Sequence, residues 1–528
     1  MLGLEIVVVL GVAILVCAGG ARRLHIASPV LLLISGILLG FLPAMREVSL
    51  PPEVVLFLFL PALLFRESLT TSLREIRANF RGIVLTSTLL VVLTAGAVAV
   101  IAHLFGTSWG PAWVLGAALA PTDATSVGAL TRNLPRRNVT LLRAESLIND
   151  GTALVIYGIA VAFTVSAEDT SPLHITWLAF FAYGGGIAIG AMIAWLVIRI
   201  RRRLDNPMQE IVLTILTPFV AYLLAELIEA SGVLAVVTAG LLLSQATPRR
   251  ARAAARRQSD GFWSLSTFLL NASLFVIVGL ELQTAVRALD NTLIVRGLVL
   301  IAVVSVVLIA VRIGFLFAAT YTIRLLDRRP AQRLRRVSNR ARIVSGLAGF
   351  RGAVSLAAAL GIPLLLASGH PFPDRDLIVF VTAGVIVITI VVEGILLPGV
   401  VRWAAFEKDA GVDEERLLAE TVATEEALDA LAEVATGLGT DPAVSDRLRT
   451  EYGLHLRVLR AGDSTAEVDD DARRDQQYTA LRLEILERKR ATVVRLRNDE
   501  QIDDAVLRWL QGKLDTEELR LAPEELRE

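Results

Sequence analysis

Long apolar segments recur along most of the chain, and they limit its possible folds more than any other feature. A helix needs about 20 mainly apolar residues to cross the hydrocarbon core of a bilayer. Thirteen segments of suitable length occur, at residues 3–20, 27–44, 51–66, 82–105, 110–131, 140–165, 172–198, 210–229, 231–247, 262–284, 292–322, 344–368 and 377–403. Because a backbone in lipid has to satisfy its own hydrogen bonds, the sequence predicts an all-α polytopic membrane protein with thirteen transmembrane helices.

The apolar pattern stops near residue 405, and a charged segment follows. We therefore predict a transmembrane domain at 1–405 and a cytosolic, acidic helical tail at 406–528. From Glu407 onward the chain has 31 acidic and 18 basic side chains, a net charge of −13, although the whole chain has 52 of each. Apolar residues at helical spacing predict helices in the tail, and the acidic stretch 462–475 predicts a flexible linker between them.

Basic residues alternate between the loops that join the apolar segments. Arginine-rich loops lie at 22–23, 66–81, 132–143, 199–203, 249–257 and 324–342, whereas the opposite loops contain Arg46, Arg287 and Arg375. Basic loops remain on the cytoplasmic side of a membrane. The pattern predicts an N-terminus outside and a cytoplasmic tail. The first apolar segment lacks a basic flank and a cleavage site, so we interpret it as a span and not as a cleaved signal.

The sixth apolar segment contains ionisable side chains that a purely structural span would avoid. Ser146 and Asp150 lie four positions apart and share one face of a helix, and Glu145 and Asn149 share the adjoining face. Charged groups at membrane depth are costly and mark ion pathways. An alternative places Glu145 in the headgroup region without a function. That alternative fits Asp150 less well, since Asp150 lies more than one turn deeper.

Residues 118–130 predict an interruption of the fifth span. Pro121 removes a backbone hydrogen bond, and Thr122 and Asp123 follow it directly. Interrupted backbone inside a membrane is tolerated where it lines a cavity, and its freed carbonyls and helix ends can bind ions. The alternative is a simple proline kink whose polar groups are satisfied locally.

Residues 343–363 predict a second interruption, in the twelfth span, where three glycines surround Arg351. An arginine cannot lose its charge, so it needs an acidic or dipolar partner, unless it extends to the cytoplasmic interface. The two interrupted spans are seven apart, an odd number, and therefore have opposite orientations. This arrangement predicts inverted six-helix repeats with two crossing interrupted helices.

Several long motifs resemble the sodium/proton exchanger branch of the monovalent cation/proton antiporter family. They are LFLPALLF at 58–65, APTDATSVGAL at 120–130, AESLINDGTALVIYG at 144–158, AYLLAELIEASGVLAVVTAGLLL at 221–243 and GFRGAVSLAAAL at 349–360. The resemblance implies a transporter, not an enzyme, in the plasma (inner) membrane of a bacterium. It implies a homodimer surrounded by membrane lipids, with a dimerising scaffold and a moving core, and with no cofactor and no nucleic-acid partner.

The resemblance also implies roles for the polar residues. Asp150 would bind either an alkali cation or a proton, with Ser146 and Thr122 as oxygen ligands of the cation and Asp123 in the unwound segment. Asn149 before Asp150 matches the Asn-Asp signature of electroneutral exchange. Glu145 and Arg351 match a structural ion pair between core helices of the family.

The chain departs from the family pattern at three positions. Ala124 and Arg66 stand where many members have a proline and an acid, respectively, and Glu67 follows Arg66. Glu393 occupies a place where members often have a neutral amide. The sequence assigns no role to Glu67 or Glu393.

The predicted function is electroneutral exchange of one Na⁺, K⁺ or Li⁺ ion for one proton. Hard cations prefer oxygen ligands, and burial favours the neutral form of a carboxylic acid, so proton and cation compete for Asp150. An empty, charged site is costly to move through lipid, and this couples the two fluxes. A cation channel and a proton-coupled K⁺ transporter regulated by the tail remain open alternatives. The tail itself could dimerise, regulate transport or have neither role.

Overall fold

The structure is a computed structural model. It describes the chain except for residues 1, 25–27, 43–54, 79, 124–135, 167–171, 205, 251–252, 327–337, 407–410, 462–465, 500, 502–503 and 522–528. The chain forms two compact units, Met1–Lys408 and Asp409–Glu528. The division lies close to the predicted one between residues 405 and 406.

Sixteen α-helices form the described part of the first unit. They are α1 (Leu2–Leu24), α2 (Ser28–Leu39), α3 (Leu60–Thr70), α4 (Leu73–Ala78), α5 (Phe80–Val84), α6 (Leu90–Leu104), α7 (Trp109–Leu119), α8 (Arg136–Ser166), α9 (Pro172–Arg201), α10 (Pro207–Glu226), α11 (Gly232–Arg250), α12 (Ala253–Ala288), α13 (Asn291–Leu326), α14 (Asn339–Leu347), α15 (Ala353–Leu360) and α16 (Arg375–Ala404). Short π-helical turns, Val55–Phe59 and Leu85–Leu89, precede α3 and α6.

Seven helical segments of the described residues are long and apolar enough to cross a membrane. They are Gly82–Leu104, Leu141–Val165, Trp177–Arg201, Pro207–Glu226, Arg257–Arg287, Asn291–Thr322 and Arg375–Val392, and shorter apolar helices lie at Val7–Ala21, Ser28–Leu39, Gly232–Ala246 and Gly394–Ala404. Large apolar side chains point away from the protein, such as Trp195 of α9 and Val306 of α13, which are 65% and 67% exposed. Such apolar outer faces suit contact with lipid tails, which are as apolar as these side chains.

Two non-helical segments meet inside this bundle. α7 ends at Leu119, and the residues up to Asp123 are not helical; the rest of the predicted fifth span, 124–131, lies outside the described residues. Between α14 and α15 the chain is also non-helical, over residues 348–352. The backbone N–H of Asp123 donates to the carbonyl of Phe350 at 2.7 Å, and Arg351 Nε donates to the carbonyl of Leu119 at 3.1 Å. The interruption predicted for residues 343–363 is therefore present, and it contacts the break after α7.

The described residues of the second unit form four helices: α17 (Gly411–Leu438), α18 (Pro442–Ala461), α19 (Ala466–Asn498) and α20 (Asp504–Leu521). α17 packs with α18 and α19 with α20, and each pair has an ion pair across it, Arg460–Glu425 at 2.6 Å and Arg482–Glu517 at 3.1 Å. The predicted linker at 462–475 is wrong from Ala466 onward, where the chain is helical. Acids four positions before arginines in this stretch favour a helix.

Candidate functional site

The polar residues of α8 lie inside the protein and not on its lipid-facing surface. Glu145, Ser146, Asn149 and Asp150 are 7%, 2%, 2% and 3% exposed. Their spacing places them on two adjacent faces of one helix, as the sequence predicts. A carboxylate so well shielded from water is stable only with a proton, a cation or polar partners, so the surroundings of Asp150 decide what the site can do.

The break after α7 provides the nearest neutral partners. Asn149 Nδ2 donates a hydrogen bond to Thr122 Oγ1 at 2.7 Å, and Thr122 is buried. The Oδ1 atom of Asn149 has no hydrogen-bond partner within the part of the chain that the structure describes. This oxygen is available to a cation or a water molecule, and the hydroxyls of Thr122 and buried Ser146 add further neutral oxygens to the same region.

The break between α14 and α15 packs against the break after α7. Gly352 faces Asp123, and a Cβ atom at residue 352 would lie 2.7 Å from both Cβ and Cγ of Asp123. Only a glycine allows the Asp123 side chain to lie there. Together with the hydrogen bond from Asp123 N–H to Phe350, this contact fixes the first break against the second, one residue from Thr122.

Three carboxylates act on each other in this region. The charges of Glu67 and Asp123 both act on Asp150, and Asp123 acts on Glu67. No three His, Cys, Asp or Glu side chains among the described residues are close enough to hold one metal ion.

Glu67 is one of the two acids, with Glu393, that the sequence left without a role. It lies on α3 directly after Arg66, whose guanidinium turns away to pair with the exposed Asp260 at 2.8 Å. Successive helical residues point about 100° apart, so the two side chains face different surroundings. This geometry could have identified Glu67 as the inward acid, since an arginine suits an exposed ion pair better than a buried position.

The predicted partner of Glu145 is wrong. The Oε1 atom of Glu145 pairs with Nη1 of Arg312 on α13 at 2.7 Å, and the two side chains are 10% and 3% exposed. Arg351 instead donates from Nε to the carbonyl of Leu119 and from Nη1 to the carbonyl of Gly349. Arg312 lies within the predicted eleventh span, and sequence reasoning missed it, although an arginine inside an apolar segment is a signal that could have identified it.

Both buried arginines support the second break. Arg312 Nε donates to the carbonyl of Ser345 at 3.1 Å, while Arg351 donates to Gly349. A Cβ atom at residue 349 would lie 2.9 Å from Arg312 Cδ and 3.2 Å from Arg351 Nη1. The two guanidinium groups thus flank Gly349 and satisfy carbonyl oxygens that an interrupted helix leaves without intrahelical partners.

Comparisons with known proteins give one consistent result. The family model described as "Sodium/hydrogen exchanger, transmembrane" matches residues 10–403. A protein of Mycobacterium tuberculosis, described as an uncharacterized Na⁺/H⁺ exchanger, is 43% identical over 98% of this chain and 96% of its own length. A "sodium, potassium, lithium and rubidium/H⁺ antiporter" of Bacillus pumilus is 33% identical over 69% of this chain and 56% of its own. The structure of a sodium proton antiporter from Methanocaldococcus jannaschii at pH 8 has a similar fold, with a TM-score of 0.60 and 18% identity over 77% of this chain and all of that chain.

Proposed function

Because the chain belongs to the sodium/hydrogen exchanger family, we propose that it exchanges a monovalent cation for a proton across the plasma membrane of a bacterium. Asp150 is the exchanging group. The observation that carries this proposal is a 3% exposed carboxylate on a membrane-spanning helix, beside two unwound segments that bond to each other. Na⁺ is the proposed cation, and K⁺ and Li⁺ are tested beside it.

Competition at Asp150 couples the two fluxes. A proton or a cation neutralises the carboxylate, whereas the empty site keeps a charge that is costly to move through a low-dielectric barrier. Ser146, Thr122 and the Oδ1 atom of Asn149 supply neutral oxygens that a hard cation prefers. The nearby charges of Glu67 and Asp123 act alike on a proton and a monovalent cation, so they change affinity without changing the ratio of one to one.

Alternating access follows from two halves that rock around a fixed site. The proposed inverted repeats pair the second span with the ninth and the third with the tenth. Two helix crossings support this correspondence: Gly36 of α2 packs on Gly279 of α12, and Gly240 of α11 packs on Ser68 of α3, each too closely for an added Cβ atom. The first crossing joins the second span to the tenth, and the second joins the ninth span to the third. The proposed repeat therefore converts one crossing into the other. Thirteen spans, an external N-terminus and a cytoplasmic tail complete the proposed topology.

Purified protein in proteoliposomes tests the proposal. An imposed Na⁺ gradient should drive a pH change with the wild type and not with Asp150→Asn, and K⁺ and Li⁺ gradients are compared with it. The matched control is Asp260→Asn, the same chemical change in an exposed ion pair with Arg66, where little stability is at stake. Asp260→Asn should exchange like the wild type, and full exchange by Asp150→Asn would overturn the assignment.

Two further measurements test the finer parts. An imposed membrane potential should leave the initial rate unchanged, because one-for-one exchange moves no net charge; a rate that follows the potential would contradict electroneutrality. The homodimer stays a prediction, and cross-linking in native membranes should yield a species of twice the 57.0 kDa chain.

A further inference from the structure

One face of α17, in the second unit, is apolar and remains exposed. The packed pairs among the described helices of this unit are α17 with α18, α18 with α19 and α19 with α20. The described residues of α17 and α18 include no buried apolar side chain, and Leu418 and Val422 of α17 are 65% and 42% exposed. Most of the stability of a helix comes from packing its apolar face, so we expect this face to contact a partner.

Acidic side chains continue the same face. α17 has eight acidic residues and one basic residue. Glu426, Asp429 and Glu433 are exposed, and at about 100° per residue they share an arc of about 80° with Leu418 and Val422. The docking face of α17, defined by these five residues, therefore has an apolar part followed by an acidic part.

A groove between α19 and α20 has the complementary character. Its volume is about 510 Å³, and its apolar lining includes Leu510 and Leu514, which have the same four-residue spacing as Leu418 and Val422. Three basic side chains and one acidic side chain also line the groove: Arg488, Lys489, Lys513 and Glu517. The groove thus combines an apolar wall with a net positive charge.

This positive charge is unusual for the segment that contains it, since the chain from Glu407 onward is acidic. The whole chain has three lysines, and two of them, Lys489 and Lys513, line the groove. Complementary charges on two surfaces speed their encounter and fix their register. An acidic, partly apolar helix therefore fits the groove both in charge and in hydrophobicity.

A second copy of the chain is the partner that these observations favour. Asp515 and Glu518, on the same hairpin as the groove, have side chains that are 57% and 42% exposed, and anionic lipid headgroups would repel both. A single helix is narrow enough to enter the groove without meeting them. In the proposed homodimer, the tail of the second chain is tethered nearby, at an effective concentration of about millimolar.

We propose that the docking face of α17 binds in the groove between α19 and α20 of a second copy, so that the two tails of a homodimer join each other. A two-fold dimer uses each contact surface twice, so each tail provides one helix and one groove. The contact rests on the proposed homodimer, and it does not depend on which ion is exchanged.

Carbodiimide cross-linking of full-length chains tests this contact, because the reagent joins a carboxylate directly to a neighbouring amine. Two versions with different affinity tags are co-expressed, and both carry Lys408→Arg. The second version also carries Lys489→Arg and Lys513→Arg, which keep the charges and remove the amines. A cross-link between the two tags then has to join a groove lysine of the first version to an acid of the second.

We expect a species that carries both tags, with its cross-link mapped by mass spectrometry from Lys489 or Lys513 to the acids of the docking face. The triple change Glu426→Gln, Asp429→Asn and Glu433→Gln in the second version should remove this species. The matched control is Glu420→Gln, two residues before Val422 and therefore about 160° around the helix, which should leave the species unchanged.

The pair Lys489 and Glu517 provides an internal standard. Their Nζ and Oε2 atoms lie 4.0 Å apart in one chain, so the first version should always show this cross-link. Absence of the two-tag species while the internal cross-link forms would overturn the proposal, as would a two-tag species that survives the triple change. Chains that do not co-purify through both tags would overturn the homodimer and the docking together, whereas failure of ion exchange would appear in the proteoliposome assay alone.

Discussion

The ion pair between Glu145 and Arg312 offers a quantitative test of how the unwound segments are held. Arg312→Met removes one partner of a pair whose side chains are 3% and 10% exposed, and it leaves the Glu145 charge buried. Breaking a buried pair in this way costs about 3–5 kcal/mol of the free energy of unfolding. The lost hydrogen bond from Arg312 Nε to Ser345 adds about 1 kcal/mol.

A double-mutant cycle separates the pair from these other losses. Glu145→Gln alone should also destabilise the protein, but in the double variant no uncompensated charge remains, so the two losses should not add. We expect a coupling of about 2 kcal/mol, within the range for residues in contact. A parallel cycle of Glu145→Gln with Arg351→Met should give less than about 0.5 kcal/mol, because Arg351 bonds to the carbonyls of Leu119 and Gly349.

Unfolding of the purified variants by a denaturing detergent, followed by circular dichroism, gives the free energies for both cycles. Coupling to Arg351 as large as the coupling to Arg312 would refute the pairing in the structure and restore the pair that the sequence predicts. Coupling below about 0.5 kcal/mol in both cycles would show that neither arginine stabilises Glu145 by direct contact.

Two further substitutions test the centre of the site. Gly352→Ala places a Cβ atom 2.7 Å from Cγ of Asp123, so we expect a loss of about 1–3 kcal/mol in stability and slower exchange. The control Gly394→Ala, with open space around it, should change neither stability nor exchange. A stable, fully active Gly352→Ala variant would contradict the close contact. Glu67→Gln removes a charge that acts on Asp150, so it should weaken the binding of cation and proton alike. A membrane potential should still leave the exchange rate of this variant unchanged. Voltage-dependent exchange in this variant would show that Glu67 also carries a transported charge.

Local pattern was enough to predict the α8 part of the site. The i and i+4 positions of Ser146 and Asp150 share a helix face in any α-helix, so their common burial needed no knowledge of the partners. The break at residues 348–352 was predictable for a similar reason, since its glycines weaken a helix wherever they occur. Both features depend on residues that are neighbours in sequence.

The partners of these residues depend on packing that no local pattern encodes. Arg312 and Arg351 both lie in apolar segments, and which of them reaches Glu145 depends on where α13 and the second break lie relative to α8. The inward position of Glu67 depends on the phase of α3, which follows the π-helical turn Val55–Phe59. A π-turn inserts an extra residue into a helix and shifts the faces that follow it, and the apolar pattern does not record that shift.

These contacts divide the charges of the site into fixed and exchangeable ones. Arg312 is neutralised by Glu145, and Arg351 is held by backbone carbonyls, so neither arginine needs to change partner as the ion changes. The field of Glu67 and Asp123 acts on the charge of a cation, so at long range it draws Na⁺, K⁺ and Li⁺ alike toward the site. We expect discrimination among the three ions to arise at contact, from the Asp150 carboxylate and the neutral oxygens of Thr122, Ser146 and Asn149.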